Sequence, residues 1–212
     1  MKRKGIIFDM DGTLWDSSTE VAFSWSKAIE SSSITDRVLT KEDLMRVMGK
    51  PMDELMAALF PELTRKEQGE LLELCCKVEN DYLTKHGAKL YPRVEETLEK
   101  LSEEYFLAIV SNCQCGYIEA FLEHYGFGKY IGDIQCFGMN EVPKGENIRL
   151  VVERNQLEEA VYVGDIQGDY EASMQAGIGF IHAAYGFGEI ADEVPRIQGL
   201  AELPEVIRVI YE

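Results

Sequence analysis

After Pro92, short apolar runs alternate with amphipathic segments, and this alternation is the feature that most constrains the fold. The runs at residues 106–110, 134–137, 160–163 and 178–183 are predicted strands. The segments at residues 94–102, 118–125, 146–155, 169–175 and 205–211 are predicted helices. Strands that alternate with helices predict an α/β fold, a parallel sheet with helices on both faces. Because the runs are apolar throughout, we expect both faces of the strands to be buried.

A further apolar run, residues 5–8, is followed directly by Asp9-Met10-Asp11-Gly12-Thr13-Leu14. Alternate residues of a strand point the same way, so the carboxylates of Asp9 and Asp11 are expected on one face at the end of this strand. Two like charges so close together are costly unless they share a cation or a proton. Gly12 permits a tight turn, and Thr13 supplies a hydroxyl. The simpler interpretation is a strand end with two solvated acids and a turn.

Residues 15–89 carry helical patterns and no good strand pattern. Capping boxes at Thr40–Asp43 and Thr64–Glu67 predict two helix starts, and Gly49-Lys50-Pro51 predicts a break between helices. We therefore predict a four-helix bundle at residues 15–89, inserted into a core formed by residues 1–14 and 90–212. Ligands of open parallel sheets bind outside the carboxyl ends of the strands. An insertion that follows an acidic strand end is well placed to act as a lid there.

Polar residues also follow the other predicted strands. Ser111 and Asn112 follow residues 106–110, and Asp165 follows residues 160–163. Asp169 comes four residues after Asp165, and Lys144 precedes an apolar helix. Each has an ordinary structural explanation as a turn residue, a helix cap or a solvated lysine. Because the carboxyl ends of parallel strands meet at one edge of the sheet, their combination predicts a functional site.

Composition restricts the partners and the compartment. The net charge is −17, from 38 acidic and 21 basic residues, which argues against nucleic acid and anionic membrane surfaces as partners. No stretch approaches the ~20 apolar residues of a membrane-spanning helix. Five cysteines show no disulfide framework, and the four apolar residues after Met1–Lys4 are too few for a signal peptide. We therefore expect a cytoplasmic protein; its oligomeric state stays open.

Together these motifs resemble the haloacid dehalogenase superfamily. Residues 9–14 match its first motif, Ser111 the second, Lys144 the third, and Gly164-Asp165 with Asp169 the fourth. The resemblance is to phosphatase-like members with a helical cap inserted after the first motif, the group of phosphoglycolate phosphatases and beta-phosphoglucomutases. It implies a Rossmann-like sheet with the first strand in the centre.

The resemblance also implies catalytic roles. Asp9 is the expected nucleophile, forming an aspartyl-phosphate. Mg²⁺, which prefers hard oxygen ligands, is expected on the carboxylates of Asp9 and Asp165 and the backbone carbonyl of Asp11. Asp11, partly protonated because of its acidic neighbours, is expected to protonate the leaving alkoxide and then to deprotonate water. Asp169 either binds the metal through water or orients Lys144.

The phosphoryl group is expected to be bound by Ser111, Asn112, Thr13, Lys144 and the backbone amides after Asp9. Lys144 also offsets the negative charge of the phosphate and of Asp9. A dehalogenase of this family lacks an acid at the position of Asp11, so the presence of Asp11 indicates phosphoryl transfer.

The expected activity is Mg²⁺-dependent hydrolysis of a small organic phosphate monoester, and a phosphomutase stays open as the alternative. A phospho-signalling receiver domain is disfavoured by the acidic motif on the first strand and by the long insertion. An inactive binding protein is disfavoured because every catalytic residue is present. Lys50 is expected to contact substrate or solvent, in preference to forming an imine. Trp15 contacts the substrate or packs at the hinge.

Overall fold

The computed structural model describes residues 3–211, so Met1 and Lys2, which belong to the short N-terminal segment considered above, and Glu212 lie outside it. The described strands are β1 (Lys4–Phe8), β2 (Trp15–Asp16), β3 (Lys89–Leu90), β4 (Phe106–Ser111), β5 (Asp133–Cys136), β6 (Glu159–Gly164), β7 (Gly179–Ala183) and β8 (Arg196–Ile197). The described α-helices are α1 (Ser18–Ser31), α2 (Lys41–Met45), α3 (Met52–Leu59), α4 (Arg65–His86), α5 (Val94–Ser102), α6 (Tyr117–Tyr125), α7 (Lys144–Arg154), α8 (Gln167–Ala176) and α9 (Leu203–Tyr211). No helix within residues 3–211 is both long and apolar enough to cross a membrane.

Six strands form one parallel sheet in the order β5-β4-β1-β6-β7-β8. The side chains of β1 alternate between two buried clusters, with Ile6 and Phe8 in one and Ile7 in the other. Helices α7 and α8 cover the face of Ile7, whereas α5, α6 and α9 cover the opposite face. The predicted α/β fold with a central first strand is therefore confirmed. Strand β8 was not predicted, because two residues carry no periodicity.

Helices α1–α4 form a helical segment on the carboxyl-end side of β1. Helix α1 packs along α4, and α4 in turn contacts α6 of the sheet layer. Both predicted capping boxes occur: the hydroxyl of Thr40 accepts from the amide of Asp43 at 3.2 Å, and that of Thr64 from the amide of Glu67 at 3.3 Å. Gly49, with a φ of +82°, ends the turn after α2 in the left-handed region.

The prediction of no strand in residues 15–89 is wrong at its two ends. Trp15 and Asp16 pair in antiparallel fashion with Leu90 and Lys89, so the chain leaves and re-enters the sheet layer through one two-stranded ribbon. The amide of Tyr91 also donates to the carbonyl of Leu14 at 3.1 Å. The pairing joins residues more than seventy positions apart in the sequence, and no local pattern indicates such a contact.

Candidate active site

Asp9, Lys144 and Asp169 form a buried ion cluster at the carboxyl edge of the sheet. Asp9 follows β1, and its amide donates to the carbonyl of Val163 at 2.9 Å. Lys144 is the first residue of α7, and its Nζ lies 2.9 Å from Oδ1 of Asp9 and 2.6 Å from Oδ1 of Asp169. All three side chains are at most 4% exposed, so water screens these contacts little.

Asp169 is itself fixed by the start of α8. Its Oδ2 accepts from the amides of Asp165 at 3.0 Å and Ile166 at 3.2 Å. Asp165 accepts the amide of Phe187 on Oδ2 at 2.7 Å, whereas its Oδ1 is buried without a hydrogen-bond partner. One oxygen each from Asp9, Asp165 and Asp169 lies within 4.8 Å of the others, which leaves a carboxylate cluster of the kind that holds a metal ion.

The charges of this cluster do not balance within the protein. When all three carboxylates are ionised, they outnumber the one ammonium group by two negative charges, which a divalent cation would match. Burial raises the pKa of Asp9 to about 7, although Lys144 opposes the rise, and burial also raises the pKa of Asp165 well above its usual range. Burial lowers the pKa of Lys144, but Asp169 and Asp9 outweigh it and raise that pKa overall. The unpartnered Oδ1 of Asp165 and the all-oxygen donor set fit Mg²⁺.

Two glycines allow the backbone to approach Asp165 closely. A Cβ at Gly12 would lie 2.0 Å from Oδ2 of Asp165, and a Cβ at Gly186 would lie 2.3 Å from its Cβ. Gly12 also has a φ of +85°, which disfavours any other residue. The turn that follows Asp11 therefore requires glycine for two separate reasons.

Asp11 lies in a different environment from the other acids. Its Oδ1 accepts hydrogen bonds from the hydroxyls of Ser17 at 2.5 Å and Tyr117 at 2.7 Å. Burial raises the pKa of Asp11 to about 6, and these hydrogen bonds oppose that rise. Burial is the largest cause of the rise, and the neighbouring acid Asp16 adds to it in the direction expected from the sequence. The structure thus separates the two acids of the first motif by what surrounds each side chain.

A cavity of about 40 Å³ lies between this edge of the sheet and the helical segment, and we call it the central cavity. It is lined by Asp9, Asp11, Val21, Trp25, Leu44, Met48, Gly49, Lys50, Met52, Leu55, Glu79, Ser111, Asn112, Cys113, Gln114 and Tyr117. The sheet edge therefore contributes acids, a hydroxyl and amides, and the helical segment contributes mainly apolar side chains.

The predicted phosphate-binding residues are only partly brought together. Ser111 ends β4 and Asn112 follows it, and both line the central cavity. Nδ2 of Asn112 donates to the carbonyl of Gly49 at 2.9 Å, while its Oδ1 is buried and unpartnered. Thr13 is fully buried with an unpartnered hydroxyl and does not line the central cavity. Its backbone carbonyl accepts from the hydroxyl of Tyr185 at 2.8 Å.

The two candidate contacts near the helical segment differ in placement. Lys50 is exposed and lines the central cavity. Trp15 is fully buried and packs edge-on against the rings of Tyr117 and Phe121, at centroid distances of 5.4 and 5.0 Å. It does not line the cavity, and this placement favours packing at the hinge over contact with substrate.

Sequence reasoning missed Tyr162 and Glu79 near the site. The hydroxyl of Tyr162 donates to the carbonyl of Val110 at 2.7 Å and lies 3.3 Å from Oδ1 of Asp9. Glu79 is 3% exposed and lines the central cavity from α4. A usable signal for Glu79 was its place in the buried stripe of α4 with Leu71, Cys75 and Leu83. For Tyr162, a polar atom within a strand buried on both faces was the comparable signal.

Known proteins resemble this chain over nearly its whole length. A phosphoglycolate phosphatase of Vibrio parahaemolyticus serotype O3:K6 is 29% identical over 224 residues, covering 97% of this chain and 96% of the relative. A phosphoglycolate phosphatase of Salmonella typhi is 27% identical, covering 88% of this chain and 84% of the relative.

Solved structures share the fold. A haloacid dehalogenase-like family hydrolase from Streptococcus pneumoniae superposes with a TM-score of 0.81 at 22% identity, covering 97% of this chain and 98% of that one. A HAD-superfamily hydrolase of subfamily IA from Geobacter sulfurreducens gives a TM-score of 0.71 at 17% identity, covering 97% and 96%. At such identities the likeness concerns the fold alone.

The sequence model of haloacid dehalogenase-like hydrolases matches residues 6–183. That range contains all four predicted motifs, from Asp9 to Asp169, and the helical segment between the first two. The expectation drawn from those motifs is confirmed: this chain is a member of the haloacid dehalogenase-like hydrolase family.

Proposed function

We propose that the protein is a Mg²⁺-dependent phosphatase that hydrolyses a small organic phosphate monoester through an aspartyl-phosphate on Asp9. The observation that carries the proposal is the buried cluster of Asp9, Asp165, Asp169 and Lys144, which has two negative charges in excess when its carboxylates are ionised. The phosphatase names of relatives that cover nearly the whole chain support the same class.

The carboxylates of Asp9 and Asp165, with the backbone carbonyl of Asp11, are the proposed Mg²⁺ ligands. When bound, Mg²⁺ offsets the charges of the nucleophile and the phosphate so that the two anions can approach. Asp169 orients Lys144 through the 2.6 Å contact and supports Asp165 through its backbone amide.

In the first step, a carboxylate oxygen of Asp9 attacks phosphorus and the bond from phosphorus to the alcohol oxygen breaks. Asp11 transfers its proton to that oxygen, and the alcohol leaves. Burial of Asp11 favours the protonated form that this step requires. Lys144, Ser111 and Asn112 bind the phosphoryl oxygens meanwhile. The hydroxyl of Thr13, which has no hydrogen-bond partner among the described residues, is proposed as a further phosphate-binding group.

In the second step, water attacks phosphorus of the aspartyl-phosphate and gives a proton to Asp11. The bond between phosphorus and Asp9 breaks, which releases inorganic phosphate and restores both acids. The central cavity lies between the sheet edge and the helical segment, and we propose that this segment moves aside to admit the ester.

The partner is accordingly a small phosphorylated metabolite rather than nucleic acid, in keeping with the net charge of −17. We place the protein in the cytoplasm, a proposal supported by its five free cysteines.

The test uses p-nitrophenyl phosphate with Mg²⁺, with and without excess chelator, on the wild type and on Asp9→Asn. Asp192→Asn is the matched control, because Asp192 is exposed and does not line the central cavity. We expect chelator and Asp9→Asn to abolish phosphate release and the control to retain it. Mass spectrometry of acid-quenched protein should detect a phosphoryl adduct in the wild type and none in Asp9→Asn.

Full activity in excess chelator would contradict the metal requirement, and turnover by Asp9→Asn would place the nucleophile elsewhere. Isomerisation of a phosphosugar without release of inorganic phosphate would identify a phosphomutase instead.

A further inference from the structure

Glu79 is a buried acid of the central cavity that the proposed mechanism does not use. It comes from α4, on the helical segment, whereas Asp9 and Asp11 reach the same cavity from the end of β1. Glu79 is 3% exposed. A buried carboxyl group that faces a cavity needs polar partners or a ligand, because burying it without them is costly.

The hydrogen bonds of Glu79 leave one oxygen available. Nε1 of Trp25 donates to Oε2 at 2.7 Å, and Nε2 of Gln114 donates to the same oxygen at 3.1 Å. Gln114 also donates to Oδ1 of Asn80 at 3.0 Å, so both hydrogens of its amide are used. Within residues 3–211, no hydrogen bond to Oε1 of Glu79 occurs, and that oxygen is not among the fully buried unpartnered atoms. Oε1 is therefore free to meet a ligand.

Burial holds Glu79 in its neutral form. It raises the pKa of Glu79 to about 8, although the hydrogen bonds from Trp25 and Gln114 oppose the rise. At neutral pH the group is mainly a carboxylic acid, which both donates and accepts hydrogen bonds. A hydroxyl group of a ligand matches this acid, because a hydroxyl group also donates and accepts hydrogen bonds.

The other walls of the helical segment offer little to a charged ligand group. The apolar lining residues from this segment are Val21, Leu44, Met48, Met52 and Leu55. Among the described lining residues, Lys50 is the one with a cationic side chain, and it is exposed to solvent. A carboxylate on the alcohol portion of the substrate would therefore exchange its hydration shell for the single hydrogen bond that neutral Glu79 can donate, which is poor compensation.

We propose that Glu79 selects the alcohol portion of the substrate, and that this portion carries a neutral hydroxyl group rather than a carboxylate. The inference rests on the proposed phosphatase function, because it assumes that the phosphoryl group occupies the sheet edge. Glu79 is thus a specificity-determining residue, and Trp25 and Gln114 orient it.

The experiment compares three esters of matched size: 2-hydroxyethyl phosphate, ethyl phosphate and 2-phosphoglycolate. For the wild type we expect kcat/KM for the hydroxyethyl ester to exceed that for each of the other two by about 10-fold or more. Glu79→Gln, which keeps a donor and an acceptor, should preserve most of this preference. Glu79→Met, which removes both, should reduce the preference over ethyl phosphate about 10-fold.

Binding without turnover provides a second readout. In Asp9→Asn the fluorescence of Trp25, which donates to Glu79, should respond to the hydroxyethyl ester at concentrations about 10-fold below those required for 2-phosphoglycolate. Trp25→Phe in the same background should abolish the fluorescence change and so assign it to Trp25, since the other tryptophan, Trp15, does not line the cavity.

The proposal would be overturned if the wild-type kcat/KM for 2-phosphoglycolate equalled or exceeded that for the hydroxyethyl ester. If Lys50→Gln then lost activity on 2-phosphoglycolate, substrate selection would be assigned to Lys50. An equal loss on all three esters in Glu79→Met would also overturn it, because that result identifies a purely structural role. Failure of the proposed phosphatase function is distinguishable, since p-nitrophenyl phosphate would then not be hydrolysed, while the binding preference would still be measured.

Discussion

The ammonium group of Lys144 lies closer to Asp169 than to Asp9, at 2.6 Å from Oδ1 of Asp169 and 2.9 Å from Oδ1 of Asp9. The other oxygen of Asp169 accepts two backbone amides at the start of α8. Asp169 therefore links the lysine of α7 to the loop that presents Asp165. We infer that the position of Lys144 against the nucleophile depends on Asp169.

Lys144→Met is expected to lower kcat by about 10²–10³, because it removes the cation that stabilises charge on the transferred phosphoryl group. Asp169→Asn should lower kcat by a smaller factor, since its amide oxygen still accepts the two backbone amides. If Asp169 acts through Lys144, the double variant should be little worse than Lys144→Met. Steady-state kinetics of the three variants measure this, with exposed Lys100→Met as the control. Losses that multiply in the double variant would show that Asp169 acts independently.

Asp11→Asn should slow hydrolysis in proportion to how much the leaving group needs a proton. For an alkyl phosphate we expect a loss of about 10²–10⁴ in kcat/KM, the usual contribution of a general acid. For p-nitrophenyl phosphate, whose leaving group is a much weaker base, the loss should be clearly smaller. Equal losses on both esters would contradict the assignment of Asp11 as the proton donor. Ser17→Ala, which removes one hydroxyl from Oδ1 of Asp11, tests its orientation in the same assay.

Gly49→Ala should weaken the contact between the helical segment and the sheet edge. Gly49 has a φ of +82°, and an added Cβ would lie 2.5 Å from Cδ1 of Ile166. The carbonyl of Gly49 also accepts from Asn112, so a shifted turn disturbs a phosphate-side residue. We expect a loss of about 10-fold in kcat/KM, mostly in KM, with a folded protein.

The matched control for that variant is Gly69→Ala in α4. Gly69 is exposed, and nothing lies within 4 Å of an added Cβ. Alanine should stabilise the helix there by about 0.5–1 kcal/mol and leave the kinetics close to wild type. Similar kinetic losses in both variants would show that the turn at Gly49 has no special role.

Glu79→Gln should change the pH dependence of stability. The pKa of Glu79 is about 8 in the folded protein, against 4.5 for an ordinary glutamate. Between these values the folded state holds a proton that the unfolded state has released, so the contribution of Glu79 to the free energy of unfolding falls as pH rises and levels off above pH ~8. The variant lacks this contribution. Between pH 4.5 and about 8, its free energy of unfolding should therefore rise relative to that of the wild type by about 1 kcal/mol per pH unit. Urea unfolding at several pH values measures the difference, and parallel curves would contradict the burial of Glu79 as an acid.

The residues at the sheet edge could be predicted because each is marked by a pattern in the adjacent sequence. Asp9, Ser111 and Asp165 each follow an apolar run, and parallel strands bring their carboxyl ends to one edge. Capping boxes at Thr40 and Thr64 were equally visible, since the partner lies three residues away. Such features need no knowledge of distant contacts.

The residues that escaped prediction depend on contacts between distant segments. Glu79 is paired with Trp25 and Gln114, more than thirty residues away on either side. Tyr117, which donates to Asp11, lies 106 positions from it in the chain. A sequence of one protein reveals that such groups are polar, but not which cavity they share.

The ribbon formed by Trp15–Asp16 and Lys89–Leu90 joins the two ends of the helical segment side by side. Paired antiparallel residues are about 5 Å apart, so everything between them starts and finishes at nearly one point of the sheet layer. Such an insertion leaves the order of the surrounding strands intact whatever its own length. The helical segment could thus be lengthened or replaced between Asp16 and Lys89 without a change in the order of the strands that position the acids.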